Sequence, residues 1–327
     1  MKTGIVFSGQ GAQYPGMGKD LYDNFKKARE VFDRAGDEIK DWCFNGTKEM
    51  LRQTNVTQPS IYTVTMAAYG ALLEEAERTL GSAEALEING YAGFSLGEYS
   101  ALTAAGVISD VEHGLSLVRK RGRFMDEAGR DRDGNQRGGM SAAFGRREAI
   151  LDVVEKARKG RILEAANFNS PMQTVVAGEY AALDDFTELA KSNRLKVKRL
   201  SVSSAFHSPL MRPAADKLRE MLLAEDLHEP DGRIYANVTG RDMMEDYDRH
   251  AGKFSEYVSD IMARQTMTPV RWQETIENII ADGAEVIIEV GPGKTLTGIV
   301  RKITDKATIL NVDDRESLEE TVDFLSR

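Results

Sequence analysis

Short apolar segments in this chain run into glycine-rich turns and then into sequence of helical period, and this alternation restricts the fold more than any other feature. Ile5-Val6-Phe7 reads as a buried strand ending at Ser8-Gly9-Gln10-Gly11. A helix follows in which Leu21, Phe25, Ala28, Phe32 and Ala35 stand in steps of four and three, on one face. A second helix is expected from Thr57-Gln58-Pro59, with proline suited to the first helical position, and its stripe is Ile61, Val64, Ala68, Ala71 and Leu72. Ile88 to Gly93 reads as a strand, and helical sequence resumes at Glu98. The pattern predicts an α/β domain around a largely parallel sheet.

The stretch from Arg130 to Gly139 contains no apolar residue and reads as a linker. Beyond it the pattern changes. Met140–Phe144, Ile162–Asn167, Val175–Ala177 and Leu195–Val202 read as strands, with helices over Glu148–Ala157 and Ala181–Ala190. The resulting β-α-β-β-α-β order is that of a ferredoxin-like unit. A last strand is expected at Glu285–Val290, followed by Gly291-Pro292-Gly293 and a helix. The expected organisation is therefore a large α/β-hydrolase-like domain, residues 1–134 and 203–327, with a ferredoxin-like small subdomain inserted at 135–202.

Composition narrows the function. In 327 residues, 43 Lys and Arg stand against 52 Asp and Glu, a net charge of −9 that disfavours general nucleic-acid binding. Cys43 is the only cysteine, so neither an intramolecular disulfide nor a thiolate metal cluster can form, and no histidine pair has ligand spacing. No metal or cofactor is expected. No apolar run approaches a membrane span, and the opening apolar stretch stops at Ser8-Gly9, too short for a signal peptide; a cytoplasmic protein is expected.

Gly93-Phe94-Ser95-Leu96-Gly97 matches G-x-S-x-G, in which glycines let a serine sit on a sharp strand-to-helix turn. A nucleophilic serine needs a base, and four histidines are available. His113 falls on a polar helix face, His228 in a polar loop and His250 in a charged run. His207 lies between small and apolar residues in Ser204-Ala205-Phe206-His207-Ser208, after a predicted strand, where α/β proteins gather catalytic groups. Two nucleotide motifs fail: Gly293-Lys294-Thr295 lacks the leading glycine of a P-loop because position 288 is Ile288, and Gly9-Gln10-Gly11 is followed by Tyr14 where a dinucleotide fingerprint needs glycine. Arg119–Arg123 and Arg194–Arg199 are basic runs in an acidic chain, readable as solvated faces or as docking sites for anionic partners.

Taken together, Phe7 to Gln13, Gln58-Pro59, Gly93 to Tyr99, Arg121-Gly122, Asn167 to Pro171, Ala205 to Ser208 and Glu289 to Lys294 resemble, in order and over nearly the whole chain, the malonyl-CoA:acyl-carrier-protein transacylases of fatty-acid synthesis and the acyltransferase domains of polyketide synthases. The resemblance implies Ser95 as nucleophile and His207 as base, the latter oriented by a carbonyl near Gln265. It implies an oxyanion hole from the amides of Gln10 and Leu96, and a malonyl carboxylate held by Arg121, with Gln265, Asn167 and Gln58 in the substrate site. The implied partners are malonyl-CoA, as substrate rather than cofactor, and acyl carrier protein, reached through the basic runs; a monomer is expected. The chain departs from the usual pattern at Phe94, where histidine is common, at Ser8 in place of proline, and at Arg271 in place of glutamine. Two other readings are a serine hydrolase, for which Asp282-Gly283-Ala284 would fit a Ser–Asp dyad, and a non-catalytic module that binds carrier protein.

Overall fold

The protein is described here from a computed structural model covering residues 1–248, 250 and 252–327. Among the described residues nine strands form two sheets: β1 (Thr3–Phe7), β2 (Ile88–Gly93), β3 (Gly138–Phe144), β4 (Leu163–Ser170), β5 (Gln173–Glu179), β6 (Lys196–Arg199), β7 (Ile234–Tyr235), β8 (Val286–Val290) and β9 (Thr308–Val312). The first sheet has the order β7-β2-β1-β8-β9 with every pairing parallel. Parallel strands need helical crossovers, which cover both faces and leave the central strands dry. Every residue of β1 and β8 is accordingly buried, including Glu289.

The second sheet is antiparallel, in the order β4-β5-β3-β6, with the helices Arg147–Arg158 and Tyr180–Ser192 supplying the β-α-β-β-α-β sequence of elements. It is tied to the rest of the chain at β4, where Phe168 donates to the Val270 carbonyl and Val270 to that of Ala166, both at 2.9 Å. Among the described residues no helix is long and apolar enough to cross a membrane.

Four expectations need correction. The first predicted helix is two, Lys19–Asn24 and Lys26–Ala35, broken at Phe25, whose backbone is extended (φ −120°, ψ 133°). Phe25 stays buried despite the break, so the apolar spacing runs through it undisturbed. The second helix spans Thr54–Leu80 and so starts before Thr57; Pro59 lies inside it, in the second turn. It is buried nearly all round from Thr54 to Ala68 rather than along a stripe. Glu285–Val290 is not the last strand, because the short, half-buried β9 follows it and forms the sheet edge.

The turn between β2 and the helix Gly97–Ala104 is closely packed. A Cβ on Gly93 would overlap the Gly97 backbone, and one on Gly97 would overlap the Phe7 carbonyl. Both glycines are fixed by contact between β1, β2 and the following helix. We expect Gly97→Ala to cost about 2 kcal/mol in equilibrium urea unfolding, in the range of overpacked cores. Gly298→Ala, on the exposed side of the helix Thr295–Val300 where nothing lies within 4 Å, should be neutral or stabilising.

Candidate active site

Parallel neighbours bring the ends of β1, β2 and β8 to one edge of the first sheet, where ligands gather in folds of this kind. There the chain turns at Gly9-Gln10, at Ser95 and at Gly291-Pro292-Gly293. Against this edge lie β3, β4 and β5, and the cavity between, about 270 Å³, is lined by Gln10, Phe94, Ser95, Arg121, Asn167 and His207 among others.

Ser95 occupies the left-handed region (φ 54°), which costs a non-glycine residue about 1 kcal/mol and turns its side chain out of the strand-to-helix junction. The turn is held from two sides. The Ser95 amide donates to Asn237 Oδ1 (2.7 Å), whose Nδ2 donates to the Gly93 carbonyl (2.6 Å), and the Ser95 carbonyl accepts from Gln265 Nε2 (2.7 Å). His207, also left-handed (φ 58°), is pinned by its amide to the Thr266 carbonyl (3.0 Å).

The two side chains meet: His207 Nε2 lies 2.8 Å from Ser95 Oγ, and its Nδ1 lies 2.8 Å from the Gln265 main-chain carbonyl. A carbonyl can only accept, so Nδ1 carries the proton and the lone pair on Nε2 faces the serine hydroxyl. Burial, reinforced by the Arg121 charge, lowers the His207 pKa to about 4 and keeps the imidazole neutral, as a base must be. No carboxylate completes a triad. Asp282, the dyad candidate of the hydrolase reading, accepts from Tyr235 (2.6 Å) and is outside the cavity lining.

Arg121 is 1% exposed, and among the described residues no carboxylate lies within ion-pair distance of it, although its helix neighbours Arg119, Lys120 and Arg123 are all paired. Nη1 donates to Gln58 Oε1 (2.9 Å), Nη2 to Gln265 Oε1 (3.0 Å) and Ser95 Oγ (3.2 Å), while Nε has no partner. Desolvation lowers its pKa, yet guanidinium does not lose its proton in proteins, so a buried positive charge faces the nucleophile.

The remaining predicted residues fall into three places. Gln58 and Gln265 are fully buried behind Arg121 and do not line the cavity. Gln10 lies in the turn after β1 and Leu96 follows Ser95 in the turn after β2, and among the described residues no hydrogen bond takes up either amide. Asn167 lines the cavity from β4, and so does Asn169 two residues on, whose buried Oδ1 lacks a partner. Phe94 lines the cavity and packs edge-on against Trp272 (5.2 Å); Ser8 Oγ donates to Glu289 (3.3 Å), and Arg271 pairs with Glu274 (2.9 Å).

Two residues of the network escaped the sequence reading. Asn237 follows β7, two residues long and too short to register as a strand. Glu98 is fully buried, its carboxylate accepting from Gln265 Nε2 (2.6 Å) and the Asn237 amide (3.2 Å), and only its position directly after the serine motif could have drawn notice. The basic run at 119–123 divides around its helix: Arg121 turns inward, while Arg119, Lys120 and Arg123 reach Glu38, Glu225 and Glu127. The run at 194–199 lies along the exposed edge strand β6.

A parallel α/β sheet with a serine at its strand ends, paired with a histidine and beside a buried guanidinium, defines the class as an enzyme of serine-based acyl chemistry. The acyl transferase domain family matches residues 5–319, and the chain belongs to that family. It is 36% identical to the malonyl CoA-acyl carrier protein transacylase of Bacillus subtilis, covering 99% of this chain and 97% of the relative. The crystal structure of the enzyme of that name from Clostridium perfringens superposes with a TM-score of 0.87 at 38% identity, covering 99% of this chain and 97% of the other. A malonyl-transacylase in complex with a type II polyketide synthase acyl carrier protein superposes with a TM-score of 0.86 at 32% identity, covering 99% and 100%.

The histidine's surroundings make a direct prediction. In an NMR titration the His207 ring should remain neutral as pH falls through 6.5 and protonate only near 4. The folded pKa is below the unfolded one, so this group's contribution to stability is lost as pH falls through that window. A midpoint at or above 6.5 would contradict the geometry.

Proposed function

We propose that the protein transfers the malonyl group from malonyl-CoA to the phosphopantetheine thiol of an acyl carrier protein, through a malonyl ester on Ser95. The observation that carries this reading is Arg121: a buried, permanently charged group that has no carboxylate partner among the described residues and lies 3.2 Å from the Ser95 hydroxyl. A malonyl thioester brings the missing carboxylate, and a planar guanidinium can take it by two charge-assisted hydrogen bonds. The names of the relatives agree with this substrate and acceptor.

His207 Nε2 takes the Ser95 proton as Oγ attacks the thioester carbonyl. The oxyanion is received by the amides of Gln10 and Leu96; the intermediate then collapses, and the sulfur of CoA leaves with the proton from His207. The carrier-protein thiol attacks the malonyl ester by the reverse route, giving its proton to His207 and returning the hydroxyl to Ser95. Gln58 and Gln265 hold Arg121, and Asn167 contacts the acyl or pantetheine portion from β4. The exposed cations of the two basic runs meet the carrier protein. The reaction needs no metal or other cofactor, and the enzyme works as a cytoplasmic monomer without nucleic acid or membrane. The α/β-hydrolase-like part is read as residues 1–134 with 203–327, and the ferredoxin-like subdomain as 135–202; two separate sheets and the order β4-β5-β3-β6 support that division.

Intact-protein mass spectrometry after brief exposure to malonyl-CoA should show one malonyl adduct, discharged by carrier protein, and none on Ser95→Ala. Loss of the base in His207→Ala should slow acylation by about 10²–10⁴. CoA release without a lasting adduct would instead indicate a hydrolase. Arg121→Ala should lower malonyl turnover while the relative use of acetyl-CoA rises, because acetyl has no carboxylate to lose. An unchanged malonyl-to-acetyl ratio would remove Arg121 from substrate recognition.

A further inference from the structure

Glu98 is the carboxylate most directly joined to the buried cation, but it never touches it. Between them stands one amide: Gln265 Oε1 accepts from Arg121 Nη2 (3.0 Å), and its Nε2 donates to Glu98 Oε2 (2.6 Å) and the Ser95 carbonyl (2.7 Å). An amide group has two orientations, and its neighbours decide between them. The guanidinium donates only, and the Ser95 carbonyl and an ionised Glu98 accept only, so all three hold the nitrogen of Gln265 toward Ser95 and Glu98 and its oxygen toward Arg121. The other Glu98 oxygen also faces a donor, the Asn237 amide (3.2 Å). A proton on either oxygen would remove the charge that strengthens both of these bonds and leave that oxygen fewer lone pairs to meet its N–H.

We propose that Glu98 is a positioning residue for the acyl carboxylate: through Gln265 it fixes Arg121 beside Ser95, and its ionised form does so more firmly than its protonated form. This rests on the malonyl reading of Arg121 given above. The surroundings make the ionised form costly. Burial pushes the Glu98 pKa up to about 7, against the opposing effects of Gln265, the Asn237 amide and the Arg121 charge. Arg121, from the helix Val111–Ala128, is the charged group that acts on it, and Tyr99, on its own helix, is the titratable one. The other faces present neutral Gln265 and Asn237. β1, β2 and the helix Thr54–Leu80, which also pack against the helix Gly97–Ala104, add no group that acts on it. His207 lies beyond Gln265, bonded to its carbonyl.

The sign follows. Glu98 is protonated in the fold at a pH where the unfolded chain would have ionised it, so its ionisation costs stability as pH rises from about 4.5 to 7. A carboxylate kept where a neutral group would be cheaper has a role other than holding the fold. Acylation of Ser95 by malonyl-CoA should therefore weaken as pH falls through 7, well above the pH at which His207 protonates.

The test is the first half-reaction alone, malonyl-enzyme formation by rapid-quench mass spectrometry from pH 5.5 to 8.5, on wild type, Glu98→Gln and Glu98→Asp. Glu98→Gln resembles the protonated form, with one nitrogen opposing a donor. Its kcat/KM should lie about tenfold below wild type at pH 8, the effect of one lost hydrogen bond to a charged group, and converge on wild type at pH 6. With acetyl-CoA the two proteins should differ less. A ratio of the two enzymes that is constant across pH, or an equal loss for malonyl and acetyl, would reduce Glu98 to a structural role and overturn the proposal. Should Glu98→Gln fail to fold, the wild-type profile decides with Glu98→Asp, which retains a titrating carboxylate: no limb near pH 7 in either overturns it. A wild type that malonyl-CoA does not acylate at any pH would overturn the malonyl reading, and this inference with it; acylation without the pH limb overturns this inference alone.

Discussion

Arg121 carries a permanent charge into the interior, and the groups around it are arranged by that fact. Transfer of an unpaired cation from water to a buried site costs several kcal/mol, and the neutral oxygens of Gln58 and Gln265 return only part of it. The helix Val111–Ala128 can hold such a residue because it packs against the helix Thr54–Leu80, buried nearly all round over its first half, which supplies Gln58 from its second turn. The free protein is thus left short of one anion, at a point 3.2 Å from the serine hydroxyl. A substrate that brings a carboxylate completes the site, and one without it leaves the charge unpaired. Selectivity of this kind needs no steric gate.

The two reacting side chains impose a second constraint. Ser95 and His207 both have positive φ, and neither is glycine. Such strain survives only where neighbouring bonds leave the chain no alternative. For Ser95 these are the packed Gly93–Gly97 turn and the Asn237 bonds; for His207 they are the Thr266 carbonyl and the ring bond to Gln265. The end of the helix Phe254–Gln265 therefore sets the histidine, the serine carbonyl and the arginine together.

The alternation of strands and helices was legible because central parallel strands are dry on both faces and leave continuous apolar runs such as Gly4-Ile5-Val6-Phe7 and Val286-Ile287-Ile288. Edge strands leave no such mark, and β7 and β9 went unread for that reason. The break at Phe25 was invisible because that side chain is buried whether or not its backbone is helical. In the site, Ser95 lay inside a motif whose glycines have a steric meaning, and His207 was separable from three other histidines by its apolar flanks. The assignments to Arg121 and Gln265 came from family likeness, since one arginine in a basic run resembles the next until the helix turns Arg121 inward and its neighbours outward.

Glu98 and Asn237 were illegible for a further reason. Their bonds run between the helix that follows β2 and the turn that follows β7, some 140 residues apart, and spacing along a sequence carries no record of such a contact. A glutamate in the first turn of a helix reads locally as a favourable charge near the amino-terminal end. Its meaning appears only when the donors around it are counted: two N–H groups meet its oxygens, while the cation it balances stands one amide away. Direct contact between Glu98 and Arg121 would have neutralised the guanidinium and left nothing to attract a substrate carboxylate. With Gln265 between them, the carboxylate orients the arginine without occupying it, and the positive charge remains available at the face that meets the acyl group.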